Sequence, residues 1–129
     1  MAKKRMFISF DFHNDEILRT FLAGQAKLPD SPFDFTDASN KERLSGDWRA
    51  KTLTKIKGCD LMAVICGEKT HTAAGVSDEI NLAREAGTPY FLLKGYADKT
   101  CTKPTAAAAS DKVYGWTWEN LKTLIAGGR

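Results

Sequence analysis

Few side chains in this sequence are equipped for chemistry, and most of them follow short apolar segments. Glu79 lies in the stretch VSDEINLAREA, where Val76, Ile80, Ala83 and Ala86 recur at helical spacing. At about 100° per residue it falls within roughly 60° of the centre of that apolar face. Asp78 and Glu85 point away from the face, toward water. A carboxylate beside an apolar stripe is partly desolvated, which suits an acid, a base or a group that stabilises developing positive charge. The competing reading is that an acidic residue in a first helical turn favours the helix through its macrodipole.

The other candidates carry a plainer alternative. His71, in the loop GEKTHTAAG, is able to act as a base or to stack on a nucleobase or sugar, and equally to be a solvated loop residue; the same holds for His13. Cys66, at the end of the segment DLMAVIC, is a nucleophile only if a neighbouring base lowers its pKa, and a small buried hydrophobe is the simpler role. Trp48, Trp116 and Trp118 read as core anchors rather than ligand platforms. The cysteines, Cys59, Cys66 and Cys101, form an odd set without CxxC spacing, and His13 and His71 are the only histidines. Neither a disulfide framework nor a structural zinc site is expected, and no metal or bound cofactor is anticipated.

The elements that must position these residues alternate between strand and helix. RMFISF, Arg5 to Phe10, is a short apolar, β-rich segment that reads as a buried first strand, ending at the polar cluster Asp11–Asp15. Asn14 is a candidate cap for a helix from about Asp15 to Ala26, with Ile17, Leu18, Phe21, Leu22 and Ala26 at helical spacing. A second strand is expected over Phe33–Phe35, then a long polar segment, DASNKERLSG, where a functional loop would lie. Asp47 is placed to cap a helix from Trp48 to about Lys57, whose inward residues would be Ala50, Leu53 and Ile56.

The third strand is expected over Asp60–Cys66, followed by the 67–75 loop and a helix from Val76 to Ala86 that stops at Gly87. PYFLL, Pro89 to Leu93, is a fourth strand and Lys112–Tyr114 a short edge strand. The intervening segment, with Pro104 and Ala106–Ala109, fits a loop or a short frayed helix. The final helix spans Trp116–Ala126, with Trp118, Leu121, Leu124 and Ile125 turned inward.

Strands that are apolar nearly throughout, alternating with helices, indicate a parallel sheet covered on both faces. The expected architecture is a three-layer, doubly wound, flavodoxin-like α/β fold of about five strands in the order 2-1-3-4-5. Its ligand crevice lies beyond the carboxyl ends of the first and third strands. The residues just after each strand are therefore the ones to weigh. Cys66 and Gly67 stand where a receiver domain needs an acceptor aspartate, and DFHNDE offers no flavodoxin phosphate loop. A P-loop and a GxGxxG fingerprint are also missing from the sequence.

Length and composition agree with one domain over residues 1–129. Hydrophobic residues make up 43% and charged residues 27%, which argues against disorder. A formal charge of +3, spread over Lys3–Arg5 and the 49–57 helix, reads as solvated surface, with no motif for nucleic acid. No apolar run approaches the roughly 20 residues that span a bilayer, so a cytoplasmic protein without membrane contact is expected.

Four pieces in order, KRMFISFDFHND, SPFDFTDASNKE, DLMAVICG and GVSDEINLAREAGTPYFLL, resemble the bacterial TIR-like proteins grouped with the TIR component of Thoeris anti-phage defence. TKPTAAAASDKVYGWTWENLKTLI is similar to the tail of the small stand-alone members. In that family the first strand is TIR box 1, the segment after the second strand is the BB loop, and the helix after the third strand carries a glutamate in a W-x-x-x-E-like context. Catalytic members cleave the nicotinamide–ribose bond of NAD, which is a substrate there and not a cofactor, and Thoeris members make a cyclic ADP-ribose type signal.

The resemblance puts Glu79 in the place of the catalytic glutamate, with Ile80 and Ala83 at the apolar positions after it. Gly75 stands where many TIR domains have tryptophan. It further implies that Phe10, Asp11, Phe12, Asp37, Ser45 and His71 line the NAD site, and that self-association through the 37–46 loop completes it. Two other readings of the same residues stay open: a non-catalytic TIR-like module that binds a nucleotide or a protein, and a nucleoside-processing transferase of related architecture.

Overall fold

The computed structural model of the chain describes residues 4–11, 14–37 and 47–127. Among them five strands form one parallel sheet: β1 (Lys4–Ser9), β2 (Phe33–Asp37), β3 (Leu61–Cys66), β4 (Tyr90–Lys94) and β5 (Val113–Gly115). The order β2-β1-β3-β4-β5 is the doubly wound, flavodoxin-like arrangement expected. β1 sits between β2 and β3, pairing Ile8 with Asp37 on one side and with Ala63 on the other. The carboxyl ends of these three strands therefore lie side by side.

The helices are α1 (Glu16–Ala26), α2 (Trp48–Lys57), α3 (Ala74–Ala86) and α4 (Trp118–Ile125). Alternation along the strands sorts the core into two layers. Met6, Ile8, Ala63 and Ile65 pack with Leu18 and Leu22 of α1 and Leu121 and Leu124 of α4. Phe7, Met62, Val64 and Cys66 pack with Ile56 of α2 and Val76 and Ile80 of α3 on the opposite face. Every residue of β3 is buried, as a central parallel strand requires.

Several local expectations are corrected. Asp15, not Asn14, occupies the cap position of α1, and its side chain makes no capping bond. Asn14 instead donates its Nδ2 to Asp11 Oδ2 at 2.6 Å, within a turn whose Asn14 and Asp15 amides both donate to the Asp11 carbonyl. Asp47 likewise stands at the start of α2 without capping through its side chain. That helix buries Trp48, Thr52 and Ile56, whereas Ala50 is exposed and Leu53 only half-buried. The i, i+4 row led by Trp48 prevails because the indole removes far more apolar area from water than an alanine methyl.

α3 ends as its glycine foretold. Gly87 is left-handed at φ 71°, donating to the Arg84 carbonyl, while Thr88 donates to the Ala83 carbonyl at 2.9 Å. This is the Schellman pattern that closes orphaned helix carbonyls. Between β4 and β5, residues 95–112 form turns and no regular element. They are fastened to the 70–90 region by hydrogen bonds that Thr102 accepts from the His71 amide and Asp111 from the Tyr90 hydroxyl, and by one between Thr105 and Ser77. α4 is capped by Thr117, whose hydroxyl accepts from the Asn120 amide at 3.1 Å. None of the described helices is long and apolar enough to cross a membrane.

Candidate functional site

The carboxyl edge of the sheet carries three buried acids, Glu79, Asp15 and Asp11. Glu79 sits in the second turn of α3, on the side that faces the sheet, and is 7% exposed. Asp78 and Glu85 are exposed, as the helical spacing requires. Beneath Glu79 is Ser9, the last residue of β1, which is wholly buried. Ser9 Oγ donates to Glu79 Oε1 at 2.7 Å. Strand alternation explains the encounter: Phe7 faces α2 and α3, so Ser9, two residues on, faces the same way.

The second acid, Asp15, is 2% exposed, and its Oδ2 has no hydrogen-bond partner. A Cβ on Gly67 would overlap both of its carboxylate oxygens, so the glycine after β3 is what admits this side chain. Burial, and next the charge of Asp11, push the Asp15 carboxyl above its ordinary value, while the Thr70 and Tyr96 hydroxyls pull the other way. The Tyr96 hydroxyl is raised in turn, by burial first and then by Asp15.

The residues proposed to line a pocket fall in several places. Asp11 is buried at 6% exposure and holds the Asn14 amide. Phe10 is half-buried and packs with the α1 and α4 layer, across the sheet from Ser9 and Glu79. Asp37 closes β2 beside Ile8. His71 belongs to a short 3-10 turn, Thr70–Thr72, and is exposed; its Nδ1 lies 2.9 Å from Thr102 Oγ1, which also accepts from the His71 amide at 3.0 Å. Phe12, Ser45 and His13 lie outside the described residues, as does most of the 37–46 loop.

Ser9 has no place among the residues that the sequence marks for chemistry. A serine at the end of an apolar strand has no distinguishing local signal; only the count of two residues from Phe7, combined with the inward face of α3, would have pointed to it. Cys66 is wholly buried, and burial, followed by the nearby Cys101, pushes its thiol up to about 12, so it is no thiolate nucleophile. Among the described residues no cluster of three His, Cys, Asp or Glu side chains is arranged to hold a metal. Along α1 a groove of about 770 Å3 runs past Ile17, Phe21, Tyr96 and Trp116. Ile17 and Phe21 are both more than half exposed there.

Neither a family model nor a curated protein matches the chain. Among solved structures the chain is similar to the crystal structure of a prokaryotic SEFIR domain, with 96% of this chain and 91% of that one covered at 22% identity and a TM-score of 0.56. The five-stranded parallel sheet in the order 2-1-3-4-5, with helices on both faces, is thus a fold this chain shares with a SEFIR domain.

Proposed function

We propose that this chain is a TIR-like NAD-processing enzyme in which Glu79 acts at the ribose during cleavage of the nicotinamide–ribose bond. The observation that carries the reading is a buried carboxylate at the carboxyl ends of β1 and β3, held by a buried hydroxyl at 2.7 Å. That edge is where a doubly wound sheet of this order binds ligands.

The chemistry suits one carboxylate. Nicotinamide is a cationic leaving group, so its bond to C1 of the ribose breaks with its electron pair and leaves an oxocarbenium-like sugar. A fixed negative charge beside that carbon is worth more in a site shielded from water than in solution. Glu79 would stabilise the developing cation or attack it, and water or the adenine of the same molecule would then complete a linear or a cyclic product. The sequence resemblance adds a role in bacterial anti-phage signalling through a cyclic ADP-ribose type product.

The test is nicotinamide release from NAD by concentrated protein, followed by chromatography. Glu79→Gln should lower the rate roughly a thousandfold or more, by removing the charge that the transition state needs, while circular dichroism stays that of the parent. Equal rates for parent and variant would sink the assignment.

One observation favours a second reading, a non-catalytic module that binds a nucleotide or a protein: Glu79 is only 7% exposed and already engaged by Ser9. That module would release no nicotinamide at any protein concentration. It would lose self-association when Lys41, Glu42 or Arg43 is reversed in charge.

A further inference from the structure

We infer that Ser9 is a positioning residue for Glu79, and that its hydroxyl fixes the direction and the ionised state in which the carboxylate is presented. The inference rests on the reading of Glu79 as the group that acts on NAD.

Ser9 interrupts an apolar series. Met6, Phe7 and Ile8 precede it, and apolar Val64 of β3 stands opposite it in the register. A hydroxyl with no access to water at such a place is costly unless it is hydrogen-bonded. Ser9 Oγ makes its bond to Glu79 Oε1, 70 residues away in the chain. At 2.7 Å the bond has the length of a well-formed O–H···O hydrogen bond.

Two consequences follow for the carboxylate. A donor that bonds the ionised form favours it over the neutral acid, and so opposes the effect of burial. With Oε1 held on a central strand, the plane of the carboxylate is set by the sheet and not by the rotamers of a long side chain. Positioned groups of this kind matter because catalytic geometry tolerates little displacement. A serine that merely filled space would carry neither effect.

The experiment measures nicotinamide release across pH for the parent, Ser9→Ala, Ser9→Cys and Ser9→Thr, with circular dichroism to establish folding. Cysteine keeps the shape with a much weaker donor, so it carries the test if the alanine variant fails to fold. For Ser9→Ala and Ser9→Cys, kcat should fall roughly ten- to hundredfold, the loss of one hydrogen bond to a charged group, with KM little changed. The acid limb of the pH profile should move to higher pH, because the ionised carboxylate has lost its donor. Ser9→Thr, which keeps a hydroxyl, should recover most of kcat. An unchanged kcat and acid limb in a folded Ser9→Ala or Ser9→Cys, beside an active parent, would overturn the inference alone. A parent that releases no nicotinamide would overturn both it and the reading of Glu79.

Discussion

Glu79 and Asp15 are both carboxylates buried at the same edge of one sheet, yet their surroundings differ in kind. Glu79 meets a hydroxyl donor from the end of β1. Asp15 is pressed against Gly67, leaves Oδ2 without a hydrogen-bond partner, and stands near the like charge of Asp11. Place in the fold alone would mark both as candidates. For Asp15, burial and the neighbouring acid outweigh the Thr70 and Tyr96 hydroxyls and bias it toward its protonated form, whereas the donor to Glu79 comes from the end of β1. Asp15 therefore reads as a wedge between the start of α1 and the 67–70 loop, and Glu79 as the carboxylate proposed for chemistry.

The largest effect should separate the two acids directly. In the nicotinamide assay Glu79→Gln should lose roughly a thousandfold or more, while Asp15→Asn should keep most of the parental rate; comparable losses in both would erase the distinction. Next in size is Gly67→Ala, whose methyl has no room beside Asp15. Chemical denaturation should show a loss of about 1–3 kcal/mol, the usual penalty for overpacking. Much of it should return in Gly67→Ala combined with Asp15→Ala, because the second change removes the obstructing carboxylate.

A smaller effect concerns pH. The Asp15 carboxyl is raised in the folded state, so the stability its proton confers is complete below the ordinary value of 3.8 and is lost as pH rises through the folded value. Asp15→Asn cannot lose that proton. Thermal melts should thus find the variant more stable than the parent at neutral pH by a few degrees, with the difference vanishing in acid. A difference independent of pH would mean that charge is not what strains this site. The smallest effect belongs to the exposed pair of Arg49 and Glu85, which joins α2 to α3. Glu85→Gln should cost no more than about 0.5 kcal/mol.

Much of the scaffold was legible because it depends on periodicity. The apolar runs ending at Phe10 and Cys66 marked the buried strands to within a residue, and Gly87 marked the end of α3 because a left-handed residue needs no side chain. The inward lean of Glu79 followed from its spacing to Val76 and Ile80. Less legible were features decided by contacts between distant segments. Asp15 looked like an ordinary first-turn acid, and its burial depends on Gly67, far along the chain, offering no side chain at the point of contact. The inward row of α2 departs from the spacing of Ala50 and Leu53 because Trp48, at the helix end, outweighs it. Ser9 escaped notice because its meaning lies in Glu79, which no pattern within β1 contains.

The link between β4 and β5 bears on how the molecule would open. Residues 95–112 lack a helix, yet Thr102 bonds the His71 amide, Thr105 lies 2.9 Å from Ser77 Oγ, and Asp111 accepts from Tyr90, which also accepts from Arg84 at 3.0 Å. A segment without a helix or strand of its own that bonds α3 and its approach at several points should open together with them. Amide hydrogens in residues 100–111 and those at the start of α3 should therefore exchange with solvent together, as one cooperative unit, while the ends of α1 and α4 fray on their own.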